Sequence, residues 1–155
     1  MLSLPYSTRC SFFNGSLQSR PRDTFQTIDP STGQALADVQ TASESDIDSA
    51  ISSAQEAFKS WSKTPPIARS RILLKAASLL RERNDALAKM ETDDTGKPFS
   101  ETSVVDVITG AEVLEYYANL VGGGGLNGET IQLRENAWVY TKKEALGVCV
   151  GIGAW

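Results

Sequence analysis

Few side chains in this 155-residue sequence could do chemistry, and their types limit what that chemistry could be. Histidine is absent, which removes Ser-His and Cys-His nucleophile pairs and most zinc ligand sets. Cys10 falls in an N-terminal stretch expected to be disordered, and Cys149 sits inside an apolar run, where a buried small hydrophobe is expected rather than a thiolate. No residue of this chain is therefore assigned a catalytic role. What remains is the run Glu144-Ala-Leu-Gly-Val-Cys-Val-Gly-Ile-Gly-Ala-Trp155. Val148, Cys149, Val150 and Ile152, bounded by Gly147 and Gly153, read as a strand buried on both faces, the kind found in parallel sheets flanked by helices. Ligands of such sheets bind beyond the carboxyl ends of the strands, which puts Gly153, Ala154 and Trp155 where a cofactor would be met. Glycine at 153 would let a ligand approach the backbone closely. The alternative is that Gly153 closes a strand and Trp155 fills a core.

A doubly wound sheet needs a crossover helix and a return strand after its first strand, and neither follows Trp155. The expectation is an incomplete α/β fold. The elements ahead of the run are legible from their punctuation. Asn14-Gly15 marks a tight hairpin between Phe12-Phe13 and Leu17. Thr24 to Thr41 reads as two antiparallel strands around Asp29-Pro-Ser-Thr-Gly33. Ser43 with Asp46 forms a capping pair for a helix whose stripe is Ile47, Ala50, Ile51, Ala54, Phe58 and Trp61. Thr64 is expected to cap a second helix with proline at its start, striped by Ile72, Leu73, Ala76, Leu79 and Leu80, with a break at Asn84-Asp85 before Leu87 and Met90. Gly96-Lys97-Pro98 ends that run and leaves Asp94 near a helix end. A third helix starts around residues 100–103 and carries Val104, Val107, Ile108, Ala111, Leu114 and Ala118. The four glycines at 122–125 form a connector, since no Gly-Lys-Ser/Thr follows to make a phosphate loop. Ile131 and Leu133, then Trp138 and Tyr140, alternate as a second hairpin, unstable as a lone ribbon.

Composition excludes other classes. A net charge of −4 without a basic block argues against a nucleic-acid partner, and no apolar run approaches the roughly 20 residues of a membrane span. Two cysteines are too few for a disulfide framework, so a reducing, cytoplasmic compartment is expected. Arg9, Arg20 and Arg22, with serines and no acid among the first 22 residues, are weakly similar to a transit peptide, which keeps a mitochondrial alternative open.

The motifs carry a resemblance. Leu146-Gly-Val-Cys-Val-Gly-Ile-Gly-Ala-Trp155 resembles the opening of the NAD-binding domain of aldehyde dehydrogenases. Thr24-Phe-Gln-Thr-Ile-Asp-Pro-Ser-Thr-Gly33, Arg69-Ser-Arg-Ile-Leu73 with Arg81-Glu-Arg-Asn84, and Asp94-Thr-Gly-Lys97 agree with it in the same order. Ala154, where many members carry proline, is closest to the betaine aldehyde and 4-trimethylaminobutyraldehyde branch. Ala145 likewise stands where many members carry proline.

The resemblance implies residues 1–12 as a disordered start, 13–128 as N-terminal strands and helices of the cofactor-binding domain, 129–146 as an oligomerisation hairpin, and 147–155 as the first strand of the Rossmann-like sheet. It implies NAD bound along Ile152, Gly153, Ala154 and Trp155, with the nucleophilic cysteine and the glutamate base outside this chain. It further implies a small, trimethylammonium-bearing aldehyde substrate, a homotetramer, and a potassium or sodium ion held by the carbonyls of Thr27 and Ile28 with Asp94. Oxygen donors suit a hard cation. Thr27 and Ile28 as plain strand residues, with Asp94 as a solvated acid, is an equal alternative. A reading of a different class is a self-contained, non-enzymatic helical interaction module.

Overall fold

The computed structural model describes residues 8–18 and 23–153. Pairing begins at Thr8–Arg9 (β1), which runs parallel to a later strand, Thr8 opposite Asp38 and Arg9 opposite Val39. The expected disordered start of 1–12 is thus corrected from Thr8 onward, because an open strand edge offers backbone partners there. Phe12–Phe13 (β2) and Ser16–Leu17 (β3) form the expected hairpin. Its two turn residues, Asn14 and Gly15, have φ of 51° and 71°, the left-handed values that a two-residue hairpin requires.

Thr24–Ile28 (β4) and Ala35–Gln40 (β5) pair antiparallel, and the sheet order is β1-β5-β4. In the turn between them, the Asp29 carboxylate accepts from the Ser31 N–H at 2.7 Å and the Thr32 hydroxyl at 3.0 Å. The first of these bonds chiefly holds the Asp29 carboxyl below its ordinary range. Thr27 faces Ala37 while Ile28 faces Ala35, so Leu36 bulges out of register.

Glu44–Trp61 (α1) starts as expected. The Asp46 carboxylate accepts from the Ser43 N–H at 2.8 Å and the Ser43 hydroxyl at 2.7 Å, and is itself nearly buried. The α1 stripe finds little to cover it, since Ile47 and Trp61 stay exposed. Pro66–Glu82 (α2) is preceded by Pro65 rather than capped by Thr64. The Thr64 hydroxyl instead donates back to the Ser60 carbonyl at 3.4 Å, which also accepts from the Lys63 N–H at 3.1 Å at the end of α1. The break falls at Arg83 (φ −105°, ψ 14°), just ahead of the expected Asn84-Asp85, and Asn84–Thr95 (α3) ends at left-handed Gly96, φ 77°. Phe99–Glu101 (α4) leads into a π turn, Thr102–Asp106, which passes into Val107–Gly122 (α5).

The core is the antiparallel pair α2 and α5, with α3 and the π turn beside it. Small residues let the backbones approach. Ala77, Ala88, Ala111 and Ala118 are the fully buried apolar residues, and a Cβ at Gly122 would lie 2.8 Å from the buried Ser70 hydroxyl oxygen. Large members of the expected stripes stay half exposed, Ile72 at 54% and Val104 at 68%. Arg81 straps the pair with a two-pronged bond to Glu115, at 2.9 and 2.8 Å. Thr102, fully buried, meets the Thr92 hydroxyl at 2.8 Å and donates to the Ala88 carbonyl at 3.1 Å, fixing the π turn to α3.

Thr130–Arg134 (β6) and Ala137–Tyr140 (β7) form the expected hairpin. Thr130 faces Tyr140 and Gln132 faces Trp138 on one side, while Ile131 faces Val139 on the other. Both sides are wet. Among the described residues no helix is long and apolar enough to cross a membrane.

The expected strand at 148–155 does not form over 147–153. These residues adopt no regular structure and pair with no strand among the described residues, and Val150 and Ile152 are 75% and 94% exposed. Cys149, expected buried, is exposed. The reason is that a strand exists only through its neighbours, and none is presented to this run. Ala154 and Trp155 lie outside the described residues.

Candidate functional site

A concavity of about 830 Å³ opens between the sheet and the helices. Thr27, Leu36, Ala37 and Val39 form its sheet wall; Leu80, Leu87, Met90 and Val107 form the helical wall. The β4–β5 turn anchors one end, because Pro30 packs so closely on Gly96 that a Cβ there would lie 2.7 Å from its ring. Gly96 therefore serves twice, as a left-handed helix end and as the seat of this turn.

The acids of the cleft are Glu91, Asp93, Asp94 and Asp106, with Arg9 on the sheet side. Three of the acids are compensated. Lys97 donates to Asp106 at 2.8 Å and lies 3.5 Å from Glu91, and Lys89 pairs with Asp93. The hydrogen bond to Asp106, opposed by partial burial and helped by the nearby charges, raises Lys97 above its ordinary value. The Asp94 carboxylate makes no hydrogen bond or ion pair among the described residues and faces the cleft with Thr27. Of the expected cation ligands, the fold thus brings Thr27 and Asp94 to one cleft. Ile28 stands beside the bulge, 49% exposed, and is not one of the lining residues. Among the described residues no group of three or more His, Cys, Asp or Glu is arranged to hold a metal ion.

Of the expected dinucleotide site, Ile152 and Gly153 are described, and Ala154 and Trp155 lie outside the described residues. Ile152 is almost fully exposed and nothing lies within 4 Å of a Cβ built on Gly153. Among the described residues these two meet no wall against which a nucleotide could rest. Tyr116 and Tyr117 meet edge to face, ring centroids 5.2 Å apart, on the wet side of α5. Two features escaped the sequence: the Lys97–Asp106 link across the cleft rim, and the π turn that places Asp106 there. An unbroken apolar and β-branched pattern from Val104 onward gives no signal for a π turn.

Edge strands on a small-residue helical layer, followed by a ribbon and an extended glycine-rich run, make a mixed α/β fold. Residues 17–155 match the Aldehyde dehydrogenase family, and the chain belongs to it. Among solved structures it is similar to a γ-glutamyl-γ-aminobutyraldehyde dehydrogenase from Burkholderia cenocepacia J2315, at 33% identity over 81% of this chain and 26% of that one, TM-score 0.74. A mutant aldehyde dehydrogenase from Bacillus cereus matches at 33% identity over 83% of this chain and 26% of that one, TM-score 0.75. An indole-3-acetaldehyde dehydrogenase in complex with NAD+ matches at 30% identity over 83% of this chain and 26% of that one, TM-score 0.75. The chain spans about a quarter of the length of these three structures.

Proposed function

We propose that this chain is the N-terminal part of an NAD-dependent aldehyde dehydrogenase that oxidises a small trimethylammonium-bearing aldehyde to its carboxylic acid. The observation that carries the reading is the family match over residues 17–155. NAD as cofactor is supported by the NAD+ complex of the similar indole-3-acetaldehyde dehydrogenase. The residues present do not by themselves fit a dinucleotide, so no step of the reaction is derived from them. The nucleophilic cysteine and the glutamate base belong to residues outside this chain. A sheet built from those residues would supply the neighbours that 147–153 requires.

The substrate class rests on Gly153-Ala154-Trp155, the form that resembles the betaine aldehyde branch. A potassium or sodium ion would be held by the Asp94 carboxylate with carbonyl oxygens at Thr27 and Ile28. The unpartnered Asp94 and its shared cleft with Thr27 support that donor set. The wet apolar faces of the β6–β7 hairpin support assembly with further copies, as a tetramer, and the compartment proposed is the cytoplasm.

The test is to produce the protein from the whole reading frame and follow NADH formation with betaine aldehyde and with its neutral isostere. The expected result is a kcat/KM roughly tenfold or more higher for the cation, as one desolvated cation–π contact would give. Equal rates would overturn the substrate class, and no NADH with any aldehyde would overturn the activity. The 155-residue chain alone is expected to produce none.

A further inference from the structure

The sequence contains two Asn-Gly pairs, Asn14-Gly15 and Asn127-Gly128, and the fold treats them in opposite ways. Asparagine followed by glycine is the pair most open to attack by the following amide nitrogen on the side-chain carbonyl carbon, because glycine puts no Cβ in the way. Whether it happens depends on how freely the backbone can bring the two atoms together.

Asn14 is exposed and makes no side-chain hydrogen bond among the described residues, and nothing lies within 4 Å of a Cβ built on Gly15. Only two residue pairs close the β2–β3 hairpin. Its other fastenings come from Gln18, whose N–H donates to the Ser11 carbonyl at 2.8 Å and whose side chain donates to the Phe13 and Ser16 carbonyls, both at 3.1 Å. Such a short hairpin opens at small cost. Asn127-Gly128 is held fast. Its Asn127 N–H donates to the Gly124 carbonyl at 2.8 Å, and the Gly128 backbone packs so tightly that a Cβ there would overlap the Thr141 carbonyl oxygen at 1.7 Å. The next residue is bonded both ways to Thr141: the Thr141 N–H reaches the Glu129 carbonyl at 2.8 Å and the Glu129 N–H reaches the Thr141 hydroxyl at 2.9 Å.

We propose that Asn14 is a deamidation site, a built-in modification point at which the turn amide becomes an acid while Asn127 is spared. The Gly15 nitrogen forms a bond to Asn14 Cγ and loses its proton, and the side-chain nitrogen departs as ammonia, leaving a five-membered imide. Water opens that ring at either carbonyl, giving aspartate or, with the chain routed through the side chain, isoaspartate. No oxidant or reductant is needed. The new charge arises in a polar groove that Asn14 shares with Asp48 and Glu56 of α1, so it meets like charge there, with Lys59 the one cation of the groove wall among the described residues. The isoaspartyl form also lengthens a turn whose two residues must both hold positive φ, and so loosens the pairing of Phe13 with Ser16.

The site is independent of the aldehyde dehydrogenase reading. To test it, the protein is incubated at mildly alkaline pH and mapped by peptide mass spectrometry, with isoaspartyl methyltransferase labelling to identify the isomer. Amide loss with isoaspartate at Asn14 should run roughly tenfold or more faster than at Asn127, and Gln18→Ala, which removes the side-chain bonds to the Phe13 and Ser16 carbonyls, should raise the Asn14 rate further. Comparable rates at both positions, faster loss at Asn127, or no loss at Asn14 in either protein would overturn the proposal.

Discussion

The α2–α5 layer and the run from Thr130 to Gly153 were equally visible as patterns, yet one folds on itself and the other stays open. In the helical layer every partner is within this chain: Ala77 and Ala118 close the interface, Gly122 seats on Ser70, and Arg81 reaches Glu115. In the C-terminal region the hairpin satisfies its backbone but leaves Trp138 and Tyr140 wet, and residues 147–153 pair with no strand among the described residues. A helix completes its hydrogen bonds locally, whereas a central strand borrows them.

Substitutions can break or sharpen that contrast. Ala118→Leu would force a large side chain between α2 and α5 where no space exists, and should cost about 3 kcal/mol in denaturant unfolding. Thr102→Val keeps the shape but strips the hydroxyl that meets Thr92 and the Ala88 carbonyl. The expected loss is about 1–2 kcal/mol, read from the same transition.

The strap between the helices should show in acid. The hydrogen bond from Arg81, opposed by partial burial and helped by the guanidinium charge, lowers Glu115 below its ordinary value. A lowered carboxylate stabilises the fold fully above its unfolded pKa, and that contribution disappears as pH falls through the folded value. A pH series of melting temperatures should therefore decline on the acid side of the ordinary glutamate range, and Arg81→Met should flatten that decline. At the small end, Val150→Asp should shift stability by less than about 0.5 kcal/mol, because Val150 touches little here. A loss on the scale of the Ala118 substitution would show that the run is packed after all.

What the sequence carried follows the same division. Ser43 with Asp46, Asn14-Gly15 and Gly96 act within a few residues, and each sits where its chemistry placed it. Helical stripes located α1, α2, α3 and α5 and named two of the buried residues, Ala111 and Ala118, but missed Ala77 and Ala88, because close packing selected small residues over the larger leucines and valines. Thr64 failed as a cap because the helix starts one residue later, with Pro65 at the cap position and its carbonyl accepting the Ala68 and Arg69 N–H groups. The π turn and the Lys97–Asp106 link come from tertiary fit, which periodicity does not encode. Thr27 and Asp94 were legible as a pair through family motifs alone, and they do face one cleft; Ile28, set beyond the bulge, does not line it. The strand expected at 148–155 is not formed over 147–153, where the described residues present it no partner.

Amide hydrogen exchange on this 155-residue chain tests that last statement most directly. Amides of 147–153 should exchange at nearly the unprotected rate while those flanking Ala77 and Ala118 are slow. Slow exchange across 147–153, matching the helical layer, would mean that the run already has its neighbours and would contradict the account.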